Sequence, residues 1–180
     1  MESLVGLLAK LVPDFVKRLW PSSTESRRAH DVAIFEASNQ LLSERHLRDF
    51  VEEALTFHCV TVGDGLRLET FARFFGETGN QYLDKRLRDR ARLVVRALNL
   101  FGHFVSMQFF IEPPHQPDVT FTEQTMCLQP ELKAISRNRS SPPESSDPYD
   151  ALVQKLEEGA DAAVRAYVEY RQAVAQRLFV

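Results

Sequence analysis

Across residues 80–111, apolar side chains recur as Leu83, Leu87, Ala91, Val94, Leu98, Phe101 and Val105, at steps of four, four, three, four, three and four. A stripe with that period is the buried face of an amphipathic helix, because about 3.6 residues complete a turn. Lys85, Arg86, Arg88, Arg90, Arg92 and Arg96 occupy the other sides of its first half. In the second half Asn99, His103, Ser106 and Gln108 are the only polar interruptions among Leu98, Leu100, Phe101, Phe104, Val105, Met107, Phe109 and Phe110. A helix apolar on nearly every side must be covered on nearly every side. The segment therefore predicts the central rod of a helical bundle.

The same period marks the other elements. Asp31 predicts the N-cap of a helix burying Ile34, Phe35, Ser38, Leu41 and Leu42, and Ser43 the cap of a second burying Leu47, Phe50, Val51, Ala54 and Leu55. Residues 61–65, TVGDG, read as a turn. A short helix around residues 66–75 follows, with Phe71, Phe74 and Phe75 inward and Gly76 and Gly79 ending it. Seven prolines from Pro113 to Pro148 exclude a long helix between residues 113 and 147 and predict an extended Pro-rich connection, its end (residues 136–147) solvated and mobile. Asp147 and Pro148 restart helix as cap and first-turn proline. From there Tyr149, Leu152, Leu156, Ala160, Ala163, Tyr167, Tyr170, Val174 and Leu178 keep the helical spacing to the chain end. This rod and the central one are expected to pack side by side, each ~45 Å long at ~1.5 Å per residue.

Residues 1–21 carry a separate stripe, Leu4, Leu8, Leu11, Phe15 and Leu19, with Glu2, Lys10, Asp14, Lys17 and Arg18 opposite and Trp20 at its end. It reads as an amphipathic helix, kinked or restarted at Pro13. Lys10 and Asp14 interrupt it too early for a secretory signal. Its apolar face must meet the bundle, another protein chain or a lipid surface, where Trp20 would sit at the interface and Lys17 and Arg18 near phosphates. Residues 22–29, polar apart from Ala29, read as a linker. The domain proper is then residues 30–180.

Composition narrows function mainly by exclusion. A chain of 180 residues forms a core without disulfide or metal. A net charge of −3 does not point to nucleic acid. Cys59 and Cys127 lack CxxC spacing, which favours free thiols in a reducing compartment, with Cys59 as a small buried hydrophobe. No His or Cys pair has the local spacing of a zinc site, and His103 reads as a core histidine. There is no phosphate-cradling glycine loop, no G-x-S-x-G and no H-E-x-x-H. No catalytic, cofactor-binding or metal residue is assigned, and no cofactor is expected. Arg88, Arg92 and Arg96, one turn apart, form a basic row that either grips phosphates or pairs with carboxylates on neighbouring helices. The second is the expectation, through Glu44, Asp49, Glu52 and Glu53 on one side and Glu157, Glu158 and Asp161 on the other.

HDVAIF at residues 30–35, NQYLD at 80–84, FFIEPP at 109–114 and the long last helix together resemble a diffuse group of uncharacterised bacterial helical-bundle proteins. The resemblance covers residues 30–180 and implies a fold, with no activity attached. The sequence thus predicts an all-α protein: an antiparallel bundle of four main helices plus a short one, an N-terminal amphipathic helix and the Pro-rich connection. Its expected role is a non-enzymatic helical interaction module binding a protein partner or itself, with Leu4, Leu8, Leu11, Phe15, Leu19 and Trp20 as contacts. A peripheral membrane-surface protein held by residues 1–20 is the alternative, and an enzyme stands third. The expected location is cytoplasmic, including a peripheral place at the inner membrane.

Overall fold

The computed structural model describes residues 23–112, 118–137 and 147–179. The protein is mostly helical, with one small sheet. Helix α1 spans Ser23–Leu41, α2 Glu44–Phe57, α3 Val62–Gly76, α4 Lys85–Gln108, α5 Pro130–Arg137 and α6 Pro148–Leu178. Strands β1 (Cys59–Thr61), β2 (Phe109–Ile111) and β3 (Thr125–Leu128) form an antiparallel sheet in the order β1-β3-β2.

Helix α4 is the central element. Leu87, Ala91, Val94, Leu98, Phe101 and Val105 are all buried, as expected of the rod's stripe, whereas Leu83, expected as its first member, lies before the Asp84 cap and is 51% exposed. Its main partner is α6, which buries Leu156, Ala160, Ala163, Tyr167, Tyr170 and Val174. Asp84 approaches Arg177, Arg90 pairs with Glu169, and Gly159 faces Phe101, so the two helices run in opposite directions. A Cβ at Gly159 would come within 3.2 Å of the Phe101 ring, which explains why glycine stands at that crossing. At ~1.5 Å per residue α6 is about 46 Å long and α4 only about 36 Å. The equal rods expected from sequence are not found, because α4 begins after its Asp84 cap and gives way to β2 at Phe109.

Several boundaries follow the expected chemistry. Ser43 caps α2 by accepting from His46 N, and Asp147 caps α6 by accepting from Tyr149 N, with Pro148 in the first turn. Other expectations are corrected. Residues 23–29, read as linker, are the first turns of α1, where Glu25 favours the positive helix end. Residues 62–65, read as turn, begin α3, with Thr61 as its cap through Asp64 N. The described part of the Pro-rich connection holds no long helix, as expected, but does hold β3 and the eight-residue α5. The amphipathic helix expected over residues 1–21 and most of the mobile segment expected at 136–147 lie outside the described residues.

The sheet is a departure from the all-α reading. Its strands are three or four residues long, too short for any period to register. Cys59 stands opposite Cys127 and is bonded to it. Leu128 N donates to His58 O at 2.8 Å and Val62 N to Gln124 O at 2.9 Å, so hydrogen-bonded pairs fall at every second position between them. The cysteines therefore occupy a non-hydrogen-bonded pair, where facing side chains lie closest. The free thiols expected from sequence are not present, and the inference to a reducing compartment loses its premise. His58 and Gln129, just outside the two bonded strands, both take left-handed backbone conformations, which turn the chain sharply into β1 and out of β3.

Candidate functional site

Two features of α4 face outward: a cleft on its α3 side and an apolar stripe beyond it. The cleft has two lobes. One, of about 540 Å³, lies over Ala72, Phe75, Ala91, Val95 and Leu100 and is edged by Arg88, Arg92 and Arg96. The other, of about 420 Å³, lies over Phe50, Leu68, Leu98, Val105 and Met126 beside Gly65 and Gly102. Asn99 and His103 border both, so the lobes lie side by side along α4. From Arg88 to Ser106 the floor runs about 27 Å at ~1.5 Å per residue.

The helical period puts the three arginines at one end. Positions 88, 92 and 96 recur at four-residue steps and fall along one edge. The charge ladder expected from sequence is not formed. Arg92 reaches only Asp89 of its own helix, at 3.9 Å, and Arg90 is the residue that bonds to α6, through Glu169. Among the described residues Arg88 and Arg96 make no ion pair. Glu44 instead meets Arg48 at 2.6 Å and Arg171 at 4.0 Å, and Asp49 meets Arg45 at 3.6 Å. His103 is exposed on this cleft rather than in the core, contrary to expectation.

Leu93, Leu100 and Met107 are 50%, 65% and 57% exposed, at seven-residue intervals. Ala97 and Phe104 stand between them, half-buried, and complete a four-three-four-three pattern. That spacing is the seam by which one helix receives another. The central rod, read from its composition as covered on every side, is thus left open along this stripe by the described residues. Of the expected contact residues, Leu4, Leu8, Leu11, Phe15, Leu19 and Trp20 lie outside the described residues.

The polar groups inside the fold are occupied by structural tasks. Asp31 was expected to cap its own helix. It lies instead inside α1, buried, and accepts from Leu83 N at 2.7 Å and Asp84 N at 3.0 Å. His30 donates from Nε2 to Gln81 O at 3.1 Å, the only role a carbonyl partner permits. HDVAIF and NQYLD therefore meet in space, one bracing the other. Above them Ser38 Oγ donates to Phe35 O, which leaves its oxygen to accept from Tyr170, and Tyr170 in turn to accept from Tyr82 at 2.6 Å. Tyr167 donates to Leu42 O at 2.6 Å. Burial raises the pKa of all three phenols, so each is held neutral. His58 Nδ1 lies 2.7 Å from Tyr149 Oη, and burial, helped by nearby Lys133, lowers its pKa against the opposing pull of Glu157.

None of these groups adjoins a nucleophile poised in a cleft. Among the described residues no three His, Cys, Asp or Glu side chains converge to hold a metal, and no helix is long and apolar enough to cross a membrane. Sequence reasoning saw the arginine row but assigned it to ion pairs. The cleft itself had one visible signal, the mid-helix Gly102, which the rod's apolar pattern conceals. No family model matches the chain, and no curated protein or solved structure matches it either.

Proposed function

We propose that the chain is a non-enzymatic helical interaction module that associates with a second copy of itself by helix-on-helix packing. In this reading α1, α2, α4 and α6 form an antiparallel four-helix frame, and α3, no shorter than α2, packs beside it against α4. The α4 stripe receives the apolar face carried by residues 1–20 of the other copy. The exposure of Leu93, Leu100 and Met107 at heptad spacing carries the proposal. Large apolar side chains aligned along 15 residues of one helix drive association, since burying each contributes roughly 1.5–3 kcal/mol. The spacing of Leu4, Leu8, Leu11, Phe15 and Leu19 supports the match: four, three, four and four, over a similar length.

Sedimentation equilibrium of the full chain tests this. The expected result is a dimer that Leu93→Glu with Met107→Glu converts to a monomer, and that Leu8→Glu with Leu11→Glu also dissociates. A wild-type chain that stays monomeric at every concentration would overturn it. Attachment of residues 1–20 to a membrane surface is the competing reading, motivated by Trp20 beside Lys17 and Arg18. It predicts flotation with anionic vesicles that the Leu8→Glu and Leu11→Glu pair abolishes and the α4 pair leaves intact.

A further inference from the structure

We propose that the α3–α4 cleft binds a single-chain amphiphile with an anionic head group, the head at Arg88, Arg92 and Arg96 and the chain in the lobe beside Gly102. The proposal does not rest on self-association, although Leu100 borders both the cleft and the α4 stripe.

Three observations meet in it. The first is the grading of the cleft along its length. The cationic edge lies at one end, while Phe50, Leu68, Leu98, Val105 and Met126 floor the other. A ligand matching both ends has a charged terminus and an apolar tail. A floor of about 27 Å suits an extended chain rather than a compact metabolite. Lobes of this size fall within the ~300–1,000 Å³ of small-molecule sites.

The second is charge without a partner. Arg92 has only a distant carboxylate on its own helix, and Arg88 and Arg96 form no ion pair among the described residues. Glu69, the one carboxylate lining the apolar lobe, is engaged by Arg73 at 2.8 Å. Three guanidinium groups along one edge thus offer many N–H donors to a carboxylate or phosphate, which they can grip in bidentate fashion.

The third is Gly102. Glycine inside a helix costs about 1 kcal/mol relative to alanine, and it is retained where something needs the space. Gly159 has such a reason in the Phe101 ring, and Gly63 has one in Thr122 O, which a Cβ would approach to 2.8 Å. Gly102 has none among the described residues: a Cβ there would meet nothing of theirs within 4 Å beyond its own stretch of helix. The opening it leaves faces into the apolar lobe.

The test is calorimetric titration of the delipidated full chain with two probes below their micellar concentrations. Palmitate supplies a carboxylate head and lysophosphatidate a phosphate head, so their comparison identifies which the arginines prefer. Lysophosphatidylcholine, with the same kind of chain but no net charge, is the control. One-to-one binding of at least one anionic probe is expected, on the order of tenfold or more tighter than the control. Arg88→Gln with Arg96→Gln should weaken it by about the same factor. Gly102→Leu should abolish it without lowering the melting temperature, because leucine is the better helix former. Equal binding of all three lipids, or anionic binding insensitive to both variants, would overturn the proposal. So would absence of binding by the full chain, whether residues 1–20 or another copy fills the cleft instead. A change in oligomeric state without loss of lipid binding would count only against self-association.

Discussion

Reduction of the Cys59–Cys127 bond offers the most direct measure of what the small sheet does for the fold. The two cysteines are 68 residues apart in sequence. The bond therefore closes a loop containing all of α3 and α4. In the chain-entropy model such a closure removes about 2.1 + 1.5R ln n cal/mol/K from the unfolded state, or about 4 kcal/mol at 25 °C for this loop. For a chain of this size each kcal/mol moves the melting temperature by ~2–4 °C. Full reduction should thus lower it by ~10–15 °C. The native helices need not change, because β1 and β3 remain paired by backbone hydrogen bonds. Scanning calorimetry with and without a phosphine reductant measures the shift, and thiol titration confirms that the bond has opened. A Cys59→Ala, Cys127→Ala variant should melt near the reduced protein and ignore the reductant. If the fully reduced protein melted within 2–3 °C of the oxidised one, far below the ~10–15 °C expected, the loop argument would fail. The sheet alone would then fix that end of the molecule.

Asp31→Ala should cost roughly 1–3 kcal/mol in urea denaturation, since it removes a buried carboxylate that holds the half-buried Leu83 and Asp84 amides; a loss below ~0.5 kcal/mol would show that water or a shift of the loop replaces the carboxylate. Tyr82, Tyr167 and Tyr170 all have raised pKa values, so the native state keeps protons that the unfolded chain releases near pH 10. Their contribution is complete below that pH and is lost as the pH climbs above it. Ultraviolet titration should show their ionisation together with unfolding, whereas three phenols ionising in a still-folded protein would contradict their burial.

The long helices were legible because their periodicity is repeated many times. The roughly eight turns of α6 and the stripe of α4 leave little freedom in assigning a face, and the caps at Ser43 and Asp147 have local signatures. What was lost is what depends on contacts distant in sequence. Asp31 carries the chemistry of a cap, but nothing near it shows that the amides it serves are 52 and 53 residues away. Cys59 and Cys127 become a pair only through a sheet whose strands are shorter than any recognisable pattern. The arginine row was visible, yet its freedom from carboxylates depends on where α2 and α6 lie around α4. Likewise, the apolar richness of the rod did not reveal that Leu93, Leu100 and Met107 remain outside.

The placement of Asp31 also bears on the order in which the molecule assembles. Asp84 caps α4 through Arg86 N and Leu87 N, and Asp31 in turn holds the amide of Asp84 itself. The start of the central helix is therefore completed by a residue that belongs to the first one. Local propensity can nucleate α4, but its entry is locked only when α1 has docked against α3 and α6. The N-terminal turn of α4 becomes a late event, sensitive to substitutions two helices away. A nascent chain holds every residue of that clasp once Asp84 is made, but the surface against which α1 packs, shared between α3 and α6, is complete only after α6 has followed.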